Sequence, residues 1–276
     1  MTLYVVSTPI GNLGDITLRA IDTLKLADIV VAEDTRHTRS LLSHLGLGGK
    51  TMRSLHDHST DAEVQALASE LLLGKTLAYV SDAGTPIVSD PGERLVEAAI
   101  AAGIEVVPVP GASAVLSALV GSGLSARSGF RFLGFLPRDG AARSEALARV
   151  IETPEIVILY ESPKRTGDTL RDLAALRPER EVVIARELSK HFEEFVRGRL
   201  SDFVHDAREW MGEIVILLGH FELSERGAPS DADIVARIKA LLAEGGHAKG
   251  VADRVAAWSG RARREMYELV VSLKAR

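Results

Sequence analysis

The 276-residue chain contains no cysteine. This absence excludes disulfides, thiolate metal sites, iron–sulfur clusters and cysteine nucleophiles, and it is typical of proteins from a reducing compartment. The chain also has no excess of positive charge, because its formal net charge is −5. A polyanionic partner would therefore have to bind at a local basic patch.

An unbroken apolar run long enough to span a membrane is missing as well. Residues 98–124 carry Glu105 as their only charge, but Gly103, Pro108 and Pro110 interrupt them, and a spanning helix needs about 20 consecutive apolar residues. We interpret this stretch as a helix end, a buried strand, a turn and another helix. The start of the chain lacks a basic segment and a small-residue cleavage site, so we expect no signal peptide and a cytoplasmic protein without membrane contact.

Two common nucleotide-binding motifs are also absent. The loop after the first predicted strand lacks the Gly-x-Gly-x-x-Gly spacing, and no Gly-x-x-x-x-Gly-Lys-Ser/Thr phosphate loop occurs. An ordinary NAD enzyme and a P-loop NTPase are therefore disfavoured.

What the chain does contain is an alternation of short apolar runs with segments of helical periodicity. In the first half, the predicted strands are Leu3–Val6, Ile29–Ala32, Thr76–Val80 and Glu105–Pro108, and the predicted helices are Thr17–Leu26, Thr38–Leu45, Asp61–Leu73 and Pro91–Ala102. Thr60 and Glu63 have the spacing of a capping box, and Asp90 before Pro91 is a candidate N-cap. Continuous apolar strands joined by helices are typical of a largely parallel sheet covered on both faces.

The pattern restarts after about residue 120. There the predicted strands are Phe130–Phe135, Ile156–Tyr160, Val182–Ala185 and Ile214–Leu218, and the predicted helices are Ser144–Ile151, Arg165–Leu176 and Leu200–Trp210. His191–Arg199 is a candidate antiparallel strand, which would make this second sheet mixed. Helical segments follow a short linker, over Asp231–Ala243, Lys249–Trp258 and Ala262–Lys274. We therefore divide the chain into two α/β domains, 1–120 and 121–225, and a helical tail, 230–276.

The tail concentrates the basic charge of the chain. Seven basic and three acidic residues give residues 247–276 a net charge of +4 and leave −9 for the remainder. Its helix–turn–helix layout is compatible with a nucleic-acid contact and equally with a solvated helical cap.

Two loops stand out where ligands bind in open parallel sheets, beyond the carboxyl ends of the strands. Residues 82–92 form a connection that is long for a strand-to-helix loop and rich in glycine and proline, so a ligand can approach its backbone closely. A second loop carries Glu33, Asp34, Arg36 and His37. These charges can bind a phosphate or orient a hydroxyl, or they can simply start a solvated helix.

A metal centre is disfavoured by the same reasoning. His56-Asp57-His58 is the one run that suggests metal ligands. Residues i and i+2 share a face only on a strand, and no further ligand set is evident. We expect a polar loop there and no metal ion.

Several loop motifs together resemble one known family. They are Thr8-Pro9-Ile10-Gly11-Asn12-Leu13-Gly14-Asp15, Glu33-Asp34-Thr35-Arg36-His37-Thr38, Ser81-Asp82-Ala83-Gly84-Thr85-Pro86, Ser89-Asp90-Pro91-Gly92, Tyr160-Glu161-Ser162-Pro163 and Ala185-Arg186-Glu187-Leu188. In order and spacing this series is similar to the ribosomal RNA small subunit methyltransferase I family, within the tetrapyrrole methylase superfamily.

The resemblance implies a fold, an activity and partners. It implies two α/β domains of the tetrapyrrole methylase type with S-adenosylmethionine in the cleft between them, a small C-terminal helical segment, and a homodimer. The implied reaction methylates the ribose 2′-hydroxyl of a cytidine in small-subunit ribosomal RNA, so the implied partners are that RNA and the small ribosomal subunit.

The resemblance also implies the site residues. Gly84-Thr85-Pro86 corresponds to the superfamily's Gly-Asp-Pro loop, with Thr85 in place of the aspartate. The implied cofactor-binding residues are Pro9, Asp82, Ala83, Gly84, Thr85, Val88, Ser113, Ala114, Glu161, Glu187 and Glu213.

A ribose hydroxyl is a poor nucleophile when neutral, so a general base is expected. We hypothesise that Asp34 or Glu33, held by Arg36 or His37, accepts or steers its proton. Two alternatives stay open: a methylase that acts on a tetrapyrrole of the precorrin type, and a non-catalytic RNA-binding or assembly factor.

Overall fold

We describe a computed structural model of the protein, in which residues 1–222, 231–243 and 247–274 are placed. The chain divides into a first unit, residues 1–220, and a second unit, residues 221–276. No helix among the placed residues is both long enough and apolar enough to cross a lipid bilayer.

The first sheet of the first unit is entirely parallel, as the continuous apolar runs predict. Its strands are β1 (Thr2–Val6), β2 (Ile29–Ala32), β3 (Thr51–Ser54), β4 (Leu77–Val80) and β5 (Glu105–Val109), in the order β3-β2-β4-β1-β5. Its helices are α1 (Leu18–Leu26), α2 (Thr35–His44), α3 (Asp61–Leu72), α4 (Glu93–Ala101) and α5 (Ala114–Ser122). Separate apolar clusters lie on the two faces of this sheet, one around Tyr79 and one around Ala78.

The second sheet is mixed, which confirms that prediction. Its strands are β6 (Phe130–Phe135), β7 (Ile156–Glu161), β8 (Glu181–Arg186), β9 (Glu194–Arg199) and β10 (Ile214–Leu218), in the order β6-β7-β10-β8-β9. Only the β6–β7 pair of this sheet is parallel. The helices α6 (Gly140–Glu152) and α7 (Pro163–Leu176) pack with the large apolar cluster of this sheet.

The structure differs from the sequence-based predictions in three places. β3 was missed because it is a polar, exposed edge strand without an apolar run. The helix predicted over Leu200–Trp210 is a single turn, Leu200–Phe203. Beyond it, Asp206 accepts a hydrogen bond from the Arg208 amide at 2.9 Å, and such local bonds compete with helix formation.

The third error concerns the start of α4. The predicted N-cap was Asp90, with Pro91 as the first helical residue, but the N-cap is Gly92 at φ +125°. The Tyr79 hydroxyl donates a hydrogen bond to the Pro91 carbonyl and holds this residue outside the helix. The capping box of Thr60 and Glu63 at the start of α3 is confirmed.

The second unit contains the helices α8 (Asp231–Ala243), α9 (Ala248–Ser259) and α10 (Arg263–Lys274). They pack around an apolar cluster that includes Ile238, Val255 and Met266. Three arginines of this unit are engaged in ion pairs: Arg261 with Asp231 and Glu265, Arg263 with Asp253, and Arg264 with Glu268. Three of the seven basic residues in 247–276 are therefore held by acidic partners within this unit.

Candidate functional site

A cavity of about 390 Å³ lies in the first unit, between loops of the first sheet and strand ends of the second. Its volume is within the range of small-ligand sites, about 300–1,000 Å³. Its walls are formed by Ile10, Ala83, Gly84, Thr85, Val88, Ser89, Asp90, Ser113, Ala114, Phe135, Tyr160, Glu161, Ser162, Pro163, Gly212, Glu213, Ile214 and Val215.

The loop between β4 and α4 forms one wall, and neighbouring loops hold it in place. Thr8 and Gly84 exchange backbone hydrogen bonds of 2.8 and 3.1 Å. The Thr85 hydroxyl donates to the Ala112 carbonyl at 3.1 Å and accepts from the Ser7 hydroxyl at 3.2 Å. Because Ala83 has a small side chain and Gly84 has none, the backbone that these bonds hold in place is open to a ligand.

The start of α5 forms the adjoining wall. Ser113 is its N-cap, and the Ser113 hydroxyl accepts a hydrogen bond from the Leu116 amide. The first amide groups of a helix and its dipole favour a negatively charged ligand group. Since Ser113 and Ala114 line the cavity, this end of the cavity suits a carboxylate.

The second sheet supplies a wall through β7 and the loop before β10. The carboxylate of Glu161 is buried and accepts hydrogen bonds from the Ser162 amide at 2.8 Å and the Thr169 hydroxyl at 2.7 Å. Arg165 pairs with the same carboxylate at 3.1 Å. Glu161 therefore holds the wall together, while the neighbouring Tyr160 presents an aromatic ring to the cavity.

Glu187 and Glu213 have different positions relative to this cavity. Glu213 lines it, its side chain is 74% exposed, and its carboxylate pairs with Lys190 at 3.1 Å. Glu187 is outside the lining, and its carboxylate accepts hydrogen bonds from the Glu213 amide at 2.9 Å and from Lys190 at 3.0 Å. The Glu213 amide and Lys190 lower the pKa of Glu187, so Glu187 stays ionised and supports the Glu213 backbone.

Of the predicted cofactor residues, eight line the cavity: Ala83, Gly84, Thr85, Val88, Ser113, Ala114, Glu161 and Glu213. Pro9, Asp82 and Glu187 do not. The Asp82 carboxylate accepts a hydrogen bond from the Asp34 amide at 3.0 Å, which links the β4–α4 loop to the β2–α2 loop.

The predicted catalytic residues Glu33, Asp34, Arg36 and His37 are absent from the cavity walls. Asp34 is the N-cap of α2, accepting from the Arg36 amide at 2.8 Å and pairing with its guanidinium at 2.7 Å. Hydrogen bonds from Arg36 lower the pKa of Asp34 to about 2. Burial, followed by the charges of Asp82 and Asp90, raises the pKa of Glu33.

Sequence reasoning did not assign site roles to several lining residues, notably Asp90, Ser89 and Phe135. Asp90 had been interpreted as a helix cap, although its place in a long loop of glycines and prolines was an available signal. Phe135 ends β6, and its ring meets Tyr160 edge-on at 5.6 Å. Only the packing of the second sheet against the first brings it here.

The histidines of the candidate metal motif lie with ring centroids 6.3 Å apart. Within the placed ranges of the chain, no group of three or more His, Asp or Glu side chains is arranged to hold a metal ion.

Comparison with known proteins yields one family and one fold. The profile of the family "Tetrapyrrole (Corrin/Porphyrin) Methylases" matches residues 2–204. Proteins named ribosomal RNA small subunit methyltransferase I are similar over most of the chain. The protein of Halalkalibacterium halodurans is 50% identical over 75% of this chain and 71% of its own length. That of Synechocystis is 40% identical over 99% of this chain and 98% of its own length.

The similar solved structures show only the fold, because their sequence identity to this chain is low. The chain is similar to the uroporphyrin III C-methyl transferase of Thermus thermophilus, with a TM-score of 0.57 and 20% identity over 79% of this chain and 97% of the other. It is also similar to a cobalt precorrin-4 methyltransferase, with a TM-score of 0.59 and 18% identity over 79% and 94% of the two chains. These likenesses confirm the predicted tetrapyrrole methylase fold.

Proposed function

Because the chain belongs to the tetrapyrrole methylases and, among them, to the ribosomal RNA small subunit methyltransferase I family, we propose that it methylates small-subunit ribosomal RNA with S-adenosylmethionine as donor. The observation that carries the proposal is the 40% identity to a protein of that name over nearly the whole length of both chains. The target is the 2′-hydroxyl of a cytidine.

The cavity suits this donor chemically. The donor has an amino-acid end, an apolar and aromatic nucleoside, and ribose hydroxyls. The start of α5, at Ser113 and Ala114, suits the carboxylate end. Tyr160, Ile214 and Val215 offer apolar contact, and the exposed carboxylate of Glu213 can accept hydrogen bonds from ribose hydroxyls.

When bound, the donor supplies a methyl group on a positively charged sulfur, already activated for transfer. The protein's contribution is then mainly alignment, and correct positioning of two reactants contributes about 7–11 kcal/mol to lowering a barrier. Hydrogen bonds hold the loops around Gly84 and Thr85 in place, and this rigid wall can keep the donor aligned with the acceptor.

The proposal is tested by incubating the protein with labelled donor and either free small-subunit RNA or small subunits from cells that lack this protein. Mapping the label should locate one cytidine, whose 2′-O-methyl group makes the adjoining phosphodiester resistant to alkali. Label on an added tetrapyrrole, or on no substrate, would contradict the proposal and favour one of the two alternatives.

A matched pair of variants tests the cavity itself. Ala114→Phe adds a ring to the cavity wall, whereas Ala101→Phe adds the same ring at an exposed position of α4. We expect calorimetry to show donor binding lost in the first variant and retained in the second. Equal donor affinity in both variants would place the donor elsewhere.

The homodimer and the cytoplasmic location implied by the resemblance belong to the same proposal. Sedimentation equilibrium of the purified protein should give twice the mass of one chain.

A further inference from the structure

Asp90 occupies a special position among the residues around the cavity. It lines the 390 Å³ cavity and also a second cavity of about 150 Å³. Of the placed residues, Asp90 alone belongs to both linings. The walls of the second cavity are mixed: His56, Asp57 and Arg94 are polar, whereas Leu55 and Val64 are apolar. Asp90 is therefore accessible from either cavity.

The backbone around Asp90 is held in an unusual conformation. Ile87 and Ser89 have left-handed φ angles of +75° and +67°, which are rare for residues with side chains. The Tyr79 hydroxyl donates to the Pro91 carbonyl, and Gly92 turns the chain into α4. Strain of this kind persists where the surrounding structure enforces it, and it concentrates at active sites.

The electrostatic surroundings of Asp90 suit a base. Burial, with the nearby charges of Asp82 and Asp57, raises the pKa of Asp90 to about 6, although the Ser81 hydroxyl bonds to it and acts in the opposite direction. The other titratable groups that interact with it or share its two cavities are Glu33, Tyr79, Tyr160, Glu161, Glu213, His56, Glu93 and Arg94.

The two competing carboxylates are less suitable. Asp34 is a weak base, because Arg36 stabilises its charged form, and general-base strength follows pKa. Glu33 has a raised pKa, but it lines neither cavity.

We propose that Asp90 is the proton acceptor of the methyl transfer. This inference rests on the proposed function. In the step, the ribose 2′-oxygen bonds to the methyl carbon while the carbon–sulfur bond breaks and its electron pair stays on sulfur. The hydroxyl proton moves to the Asp90 carboxylate and from there to solvent.

The first test is single-turnover methylation of small subunits at saturating donor, from pH 5 to pH 8. Asp90→Asn keeps the size of the side chain but removes the base, and we expect its rate at pH 7.5 to fall about 10²–10⁴-fold. The wild-type rate should rise tenfold per pH unit below about pH 6 and level off above it. The variant should lose this rising limb of the pH–rate profile. Asp90→Glu should restore part of the rate together with the limb.

Two further variants serve as comparisons. Asp34→Asn retains a capping side chain and should keep both the rate and the pH limb. Asp22→Asn changes an exposed carboxylate on α1 and is the surface control.

The second test does not depend on activity. Carbon-13 NMR of the aspartate carboxyl groups in the unliganded protein should show a resonance titrating near pH 6 that is absent from Asp90→Asn. Calorimetry should give donor affinities for wild type and Asp90→Asn within about threefold of each other. Thermal unfolding of the variant reports whether it is folded.

The outcomes separate this inference from the proposed function. If the wild type is active and Asp90→Asn is fully active too, the role of Asp90 is overturned and the proposed function stands. The same holds if the pH dependence is lost in Asp34→Asn and kept in Asp90→Asn. Loss of donor binding in parallel with the rate also overturns it, because Asp90 would then serve the donor. A wild type that methylates no ribosomal RNA overturns both.

Discussion

Gly92 connects the Asp90 loop to α4, and replacing it with alanine should be costly for two separable reasons. Its φ of +125° and ψ of −16° lie in a region that side chains disfavour, which costs about 1–3 kcal/mol. A Cβ atom there would also lie 2.7 Å from Cζ and 3.0 Å from Cδ1 of Tyr79. Tyr79 is fully buried, so relieving this overlap costs about 1–3 kcal/mol more.

The perturbation is therefore expected to lower the free energy of unfolding by about 2–6 kcal/mol. Gly103→Ala is the matched control, because Gly103 follows the other end of the same helix at φ +71° with no atom within 4 Å of an added Cβ. It should cost only the backbone term, about 1–2 kcal/mol.

A double-mutant cycle isolates the steric part. Tyr79→Leu removes the ring that Gly92→Ala would strike, so the double variant should be more stable than the sum of the single effects by about 1–3 kcal/mol. Urea denaturation of the four proteins measures this coupling. Additivity within about 0.5 kcal/mol would refute the reasoning, because it would mean that the ring and the added methyl group do not meet.

Three further predictions concern other parts of the molecule. The buried Arg180 guanidinium donates to five backbone carbonyls, among them those of Val150, Thr153 and Gly219. Arg180→Met should lower the free energy of unfolding by about 3–5 kcal/mol, because several buried carbonyls lose their donor. Arg199→Met breaks an exposed pair with Glu179 and should cost at most about 1 kcal/mol, so equal losses in urea titrations would contradict this. Burial raises the pKa of Asp90 from its ordinary value of 3.8 to about 6 in the folded protein. Its charge therefore lowers the stability of the fold fully above pH 6 and not at all below about pH 4. Thermal unfolding should show that Asp90→Asn is more stable than wild type at pH 7.5 and that this difference disappears at pH 4. Deleting residues 247–276 should reduce the salt slope of RNA affinity by no more than the segment's net charge of +4, because three of its seven basic residues are already paired. A filter-binding slope that falls by the amount expected for all seven basic residues would show that RNA displaces those pairs.

Much of the architecture follows from local patterns. The apolar runs at β1, β2, β4 and β5 predict a parallel sheet, because strands buried on both faces need apolar side chains at every position. The capping box at Thr60 is equally local, since both of its partners lie within one helical turn. The loop motifs were sufficient to predict the family and eight of the cavity residues.

Other features depend on contacts between distant parts of the chain. The position of β3 at the sheet edge leaves no apolar pattern to detect, and Phe135 reaches the cavity only because the second sheet lies beside the β4–α4 loop.

Asp34 and Asp90 show the division most clearly. Local patterns predict that each acid follows a strand and precedes a helix, a position in which either can act as a cap. Contacts between distant residues give the two acids different roles. Asp34 caps α2, whereas the bond from Tyr79 to Pro91 and the turn at Gly92 carry Asp90 away from α4 and into the cavity walls. A helix cap is formed by residues within one helical turn, whereas a cavity wall is assembled from residues that are distant in the sequence.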